Sequence, residues 1–246
     1  MKRILFISLI VMSAFALSAM PDIRIEAETG IAIPGYNDVR IPNSGNNTNF
    51  SLKNDVGLKP ALSTRFSIHY RITPRHQISL MATPLTLEGN EKLSKDLVYQ
   101  DKHFWKNEQV EAVYRFDSYR FQYRYLLPRQ FLGIRAVGAS LKLRDAEISL
   151  KSISTETGKS NTGFVPLLSL NAGYRVNDEL DLVLEAEGLA SPYGRAEDVF
   201  VGASYTLRKN LSVKAGYRFL EGGSDIEEVY TFAAVHYALI GFQVKL

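Results

Sequence analysis

From Asp22 onward, apolar and polar residues trade places at every second position, which is the period of a β-strand. In residues 22–33, Ile23, Ile25, Ala27, Thr29, Ile31 and Ile33 share one face and Arg24, Glu26 and Glu28 the other. In 61–72, Leu62, Thr64, Phe66, Ile68, Tyr70 and Ile72 oppose Arg65, His69 and Arg71. Segments 118–125, 180–187, 199–207 and 211–219 repeat the pattern, and 76–87, 131–151, 163–176 and 229–246 follow it less cleanly. No window carries the 3.6-residue period of an amphipathic helix. The chain therefore reads as all-β and as one domain.

The spacing of the connections sharpens this. Tight turns are predicted at Thr73-Pro74-Arg75, Leu127-Pro128-Arg129-Gln130, Asn177-Asp178-Glu179 and Arg208-Lys209-Asn210. Between them fall longer links at 34–60, 88–107, 152–161, 188–197 and 221–228. Short and long connections alternate, which gives ten strands with both ends on the short-turn side. That is the layout of an antiparallel up-and-down outer-membrane barrel, with long extracellular loops and short periplasmic turns. The aromatic parity changes near Asp117-Ser118 and again near Asp145-Ala146, and a β-bulge at the first would restore the facing.

Alternation alone leaves the direction of the apolar face open. A soluble periplasmic ligand-binding barrel would point it inward, and a membrane barrel would point it at lipid. The second is favoured because the clean apolar faces carry no charge and are rich in Tyr and Phe. Alternation also persists to Leu246, although a bacterial assembly signal would usually end in an aromatic residue. Lys2, Arg3, the apolar run Ile4 to Leu17 and the small residues around Ala19 form a secretory signal peptide pattern over 1–19, leaving 20–246 as the barrel domain. Loss of Lys2 and Arg3 with it would lower the formal charge from +3 to +1, so nothing argues for nucleic acid. The chain has no Cys, which excludes a lipoprotein anchor, disulfides and thiol chemistry.

If the apolar face meets lipid, the charged face lines a lumen. It would carry Arg24, Glu26, Glu28, Arg65, His69, Arg71, Arg120, Arg124, Lys142, Arg144, Arg175, Asp181, Glu185, Glu187, Lys214 and Arg218. Acidic and basic strands adjoin, so cross-strand ion pairs are expected. A barrel of this size is narrow, close to the width that side chains fill. A structural or small-solute passage role follows.

A second group, Arg195, Glu197, Asp198, Asp225 and Glu228, is expected on the extracellular rim. Such clusters serve as solvated loop faces or as contacts to lipopolysaccharide, and an enzyme acting there on lipid or peptide is the alternative. Neither a Gly-x-Ser-x-Gly elbow nor a metal-ligand His spacing is present, so no catalytic residue, cofactor or metal is expected. The facing of His236 is open. Outer-membrane lipid, lipopolysaccharide and the barrel-assembly machinery are the expected partners.

Several stretches resemble an uncharacterised family of bacterial outer-membrane β-barrel proteins. They are Arg144-Asp145-Ala146-Glu147-Ile148, Gly163-Phe164-Val165-Pro166-Leu167-Leu168, Gly194-Arg195-Ala196-Glu197-Asp198-Val199, Gly216-Tyr217-Arg218-Phe219-Leu220-Glu221-Gly222-Gly223 and Phe232-Ala233-Ala234-Val235-His236-Tyr237. The resemblance implies an outer-membrane barrel and no assigned chemistry.

Overall fold

The computed structural model describes residues 22–246, and the leader expected at 1–19 lies outside them. The described chain is built from strands: β1 (Asp22–Arg40), β2 (Phe50–Ser51), β3 (Ala61–Thr73), β4 (His76–Thr83), β5 (Thr86–Lys92), β6 (Leu97–Tyr99), β7 (Lys102–Phe104), β8 (Gln109–Phe131), β9 (Ile134–Lys151), β10 (Glu156–Arg175), β11 (Leu180–Ser191), β12 (Gly194–Arg208), β13 (Leu211–Ile226) and β14 (Val229–Lys245). The sheet runs β1-β3-β4-β8-β9-β10-β11-β12-β13-β14, antiparallel throughout. It closes where β14 pairs with β1, from Arg24↔Lys245 to Arg40↔Tyr230. β5 continues the line of β4 along β8 beyond Pro84. The result is a ten-stave barrel. Closure pairs every stave on both sides and leaves no exposed edge, as hydrocarbon demands.

Around the barrel the outward positions form an apolar belt. On β3, Leu62, Phe66, Ile68, Tyr70 and Ile72 are all exposed, and on β8 so are Tyr119, Phe121 and Tyr123. Val201, Tyr205, Tyr217, Ile240 and Phe242 continue it around the far side. From Leu62 to Ile72 the belt is eleven residues long, about the length of a tilted strand crossing a bilayer. So large a continuous apolar surface is stable only against hydrocarbon.

Two expectations need correction. First, no bulge occurs at Asp117-Ser118. β8 pairs with β9 in unbroken register from Glu111↔Lys151 to Leu126↔Ala136. The side chains keep their directions and the polarity inverts. Tyr114, Ala112 and Val110 are buried on the same inward parity as Ser118, Arg120 and Gln122. Above Tyr119 the outward positions become Asp117 and Arg115. β9 does the same, from outward Leu141 and Leu143 to outward Asp145 and Glu147 and buried Ile148 and Leu150. The staves outrun the bilayer, so one strand is lipid-facing below and a soluble-type strand above.

Second, most of the predicted long links at 152–161, 188–197 and 221–228 are strand. β9 and β10 stay paired up to Lys151↔Glu156, β11 and β12 up to Ser191↔Gly194, and β13 and β14 up to Ile226↔Val229. Only the segments between β1 and β3 and between β4 and β8 are long, and they fold inward. Leu52, Val56, Leu87, Leu97, Tyr99 and Phe104 from these segments pack on Val39, Val110 and Leu150 of the wall, all essentially inaccessible. The extracellular half of the barrel thus contains its own apolar core. The Tyr99 hydroxyl donates to the Ile148 carbonyl at 3.0 Å. Burial pushes that phenol up, which keeps it a donor.

Candidate functional site

Below this apolar plug lies a band of charge, built because alternate residues of β1, β3, β8, β9, β11, β12 and β13 project into one narrow space. Asp198 sits at its centre, although the sequence pattern had placed it on the rim. It begins the inward face of β12, and the strand starts earlier than the loop reading allowed. Its carboxylate accepts from Arg65 at 2.8 Å, Arg120 at 2.6 Å and Arg218 at 2.8 Å. Arg120 also pairs with Glu187, which Gln122 bonds as well.

A second focus is Lys214, 2.9 Å from Glu26, 2.8 Å from Glu28 and 3.2 Å from Glu185. Arg218 ties the foci together, reaching Glu28 at 3.3 Å and Glu185 at 3.6 Å. Arg65 approaches Glu28 at 3.8 Å. His69 lies 3.6 Å from Glu26, and its other ring nitrogen is 2.8 Å from the Ser79 hydroxyl. Glu26, Glu28, Glu185, Glu187 and Asp198 balance Arg65, Arg120, Lys142, Lys214 and Arg218 in formal charge. Lys142 is buried with its ammonium 5.5 Å from the Phe116 ring centre.

Phe200 was missed as a site residue, although it sits at inward parity on β12 between Asp198 and Gly202. Its ring is fully buried, with Lys214 at 4.2 Å and Arg218 at 5.2 Å from the centroid. Gly202 and Gly216 face each other across β12 and β13 to make room. A Cβ at Gly202 would stand 2.5 Å from the Phe200 ring, and one at Gly216 only 2.4 Å from the Val201 carbonyl.

The remaining predicted lumen residues fall outside the central band. At the short-turn end, Asp22 collects Arg71 at 3.2 Å, Arg24 at 3.4 Å and Lys245 at 3.5 Å. Asp181 pairs with Arg135, a partner hidden from sequence because the register shift between Asn171 and Ala172 breaks parity there. Arg175 is exposed at this mouth, and Arg124 lies half-buried above it on β8. At the other end of the band, Arg144 bonds Asn161.

Between the band and the apolar plug remains a void of about 20 Å³, lined by Arg65, Arg120 and Arg218 below and by Leu85, Phe116 and Tyr237 above. That is room for one or two waters. Most side chains of both layers are nearly inaccessible.

Outside, above the lipid belt, two ion clusters mark the return to water. Arg115 contacts Asp117 at 3.2 Å, Asp145 at 2.6 Å and Glu147 at 3.0 Å. The Arg115 hydrogen bond, followed by one from Thr162, holds the Asp145 carboxyl below its usual range. Arg195 grips Glu221 through two nitrogens at 2.8 and 2.9 Å, and its guanidinium lies 4.8 Å from the Phe232 ring centre. Tyr36 bonds the same carboxylate.

Glu197, Asp225 and Glu228 are exposed, and Asp225 accepts from the Asn43 amide at 2.9 Å. His236 is outward, 2.6 Å from the Tyr217 hydroxyl. Register sets Asp225 opposite Tyr230 and His236 opposite Phe219, a separation of about 20 Å along the wall. The rim groups therefore do not converge on one point.

No protein-family model and no curated protein matches the chain. Among solved structures it is similar to the outer membrane protease OmpT from Escherichia coli, with a TM-score of 0.56 and 10% identity over 94% of this chain and 99% of that one. It is also similar to the attachment invasion locus protein Ail of Yersinia pestis, with a TM-score of 0.41 and 8% identity over 90% and 99%. At such identity the likeness to OmpT concerns the fold alone. Closed antiparallel topology, the apolar outer belt and that likeness agree: the chain has the fold of a bacterial outer-membrane β-barrel.

Proposed function

We propose that this protein is a closed, non-conducting barrel of the bacterial outer membrane, with a structural role and with its working surface outside the wall and at the extracellular end. The observation that carries this reading is the deep burial of the side chains that project into the lumen. A charge-balanced band centred on Asp198 lies under an apolar plug anchored by Tyr99 and Leu150. A solute would have to break several buried ion pairs to pass, each break costing about 3–5 kcal/mol. The reading includes insertion by the barrel-assembly machinery and contact with lipopolysaccharide around the belt. An enzyme at the rim has less support, because Glu197, Asp225, Glu228 and His236 are spread over the outer wall, and the likeness to a protease extends only to fold.

Outer-membrane fractionation together with planar-bilayer recording tests the proposal. The expected result is heat-modifiable protein in the outer-membrane fraction and no conductance above the lipid background. Stable channel openings from the purified wild-type protein would overturn it.

A further inference from the structure

The short-turn end of the barrel is strongly basic. On the inward side of the staves, Arg24, Arg71, Arg124, Arg135, Arg175 and Lys245 ring the mouth against Asp22 and Asp181. The tight turns add Arg75, Arg129, Arg208 and Lys209 against Asp178 and Glu179. Ten basic side chains thus stand against four acidic ones. The excess is local, because the central band is balanced and the part of the barrel above it is net acidic.

The ring does not compensate itself. Asp22 is shared by Arg24, Arg71 and Lys245, and Asp181 is taken by Arg135. Among the described residues no carboxylate pairs with Arg124 or Arg175. The Nε–H groups of Arg71, Arg124 and Arg135 are buried with no acceptor. These are donors and charges without an anion to meet.

The direction of the ring selects the anion. Arg24 continues the inward parity of Glu26 and Glu28, Arg71 that of Arg65 and His69, and Arg124 that of Arg120 and Gln122. At the same level the outward side chains are Ile25, Tyr70, Ile72, Tyr123 and Tyr174, all exposed. Lipid headgroups therefore meet an aliphatic and aromatic outer wall, and the cations face periplasmic water along the barrel axis. A ten-stave mouth is narrow. A bilayer or a flat protein face does not fit into it, and a slender chain end does. The stem peptides of the cell wall are slender, carry free carboxylates and lie on this side of the membrane. Guanidinium forks match carboxylates in shape as well as charge.

We propose that the periplasmic mouth docks the free carboxylates of cell-wall stem peptides and so tethers the barrel to the wall beneath it. The inference goes beyond the closed-barrel reading and rests on its membrane placement.

The test uses the full mature chain in zwitterionic nanodiscs, sedimented with isolated peptidoglycan sacculi. Wild type is expected to sediment with the sacculi at about 0.1 M salt and to be released at about 1 M, where exposed charges are screened within about 3 Å. Sacculi whose carboxylates have been amidated should retain none. Arg124→Gln with Arg175→Gln removes the two ring cations that have no carboxylate partner, and should lower retention roughly fivefold, the worth of two exposed ion pairs. Lys59→Gln with Lys92→Gln makes the same charge change at the other end and should leave retention unchanged. No retention of wild type overturns the proposal, as does equal retention on amidated sacculi or equal loss in the two double variants. Stronger retention on phosphatidylglycerol vesicles than on sacculi also overturns it, by assigning the ring to lipid phosphates. Heat-modifiable migration is checked for each protein, and Arg175→Gln with Arg208→Gln replaces the first variant if that one lacks it. Loss of that migration in wild type would instead overturn the membrane reading.

Discussion

Asp198→Asn removes one negative charge from the centre of the lumen while keeping the side-chain volume. In the wild type the carboxylate is about 1% exposed and faces three guanidiniums at 2.6–2.8 Å. Arg120 and Arg218 have other carboxylates, Glu187 for the first and Glu28 and Glu185 for the second. Arg65 has only Glu28, at 3.8 Å. Two unit charges about 4 Å apart interact by about 4 kcal/mol at an effective dielectric constant near 20, and removing one partner of a buried pair typically costs about 3–5 kcal/mol.

Asparagine still offers one carbonyl oxygen to the arginines, so the expected loss is near the lower figure, about 3 kcal/mol. Guanidinium unfolding in lipid vesicles, with the folded fraction read from cold-gel migration, measures it by linear extrapolation. Adding Arg65→Gln restores charge balance, so the double variant should be more stable than the sum of the two single losses implies. A loss under about 1 kcal/mol for Asp198→Asn, or strict additivity in the cycle, would refute the account of the band as a coupled buried network.

Two further outcomes follow from packing. Tyr99→Ala empties the centre of the extracellular plug and should cost that plug about 3–5 kcal/mol. Trypsin should then cut near Lys95, Lys102 and Lys106 while the barrel keeps its heat-modifiable migration, and an unchanged digestion pattern would show that the plug does not depend on this ring. Gly216→Val drives a Cβ into the Val201 carbonyl and the Phe200 ring, with an expected loss of roughly 3 kcal/mol, the upper end for overpacking. Gly188→Ala, whose Cβ would meet nothing closer than 3.4 Å, should stay within about 0.5 kcal/mol. Equal loss in the two glycine variants, read by the same unfolding assay, would remove the packing explanation.

The barrel was legible because lipid on one side and a crowded lumen on the other force a two-residue pattern on every stave. Leu62 through Ile72 and Leu211 through Phe219 each declare their facing without help from a neighbour. Where the environment changes along a stave, the pattern changes with it, and parity alone misreads the change. Tyr114 and Tyr119 have opposite parity because one fills a core above the bilayer and the other meets lipid, both on a straight strand. The same change hid the upper ends of β10 and β12, where polar and small residues alternate with no apolar face to mark them. Asp198 was misplaced for this reason: the clean alternation begins only at Val199, five residues after β12 itself starts at Gly194.

The partners of the charged residues were legible only as signs. Parity put Glu26 and Lys214 in the lumen. It could not bring them to 2.9 Å, because β1 and β13 meet only through closure of the barrel at β14. Closure also decides what the network is for. In an open sheet these ten charges would face water and each pair would contribute at most about 1 kcal/mol. Inside a ring of ten staves, with Phe200 and an apolar plug excluding solvent, the pairs that share Asp198, Glu28 and Lys214 become mutually dependent. On the closed-barrel proposal, that dependence is what makes the lumen a poor passage and a good brace.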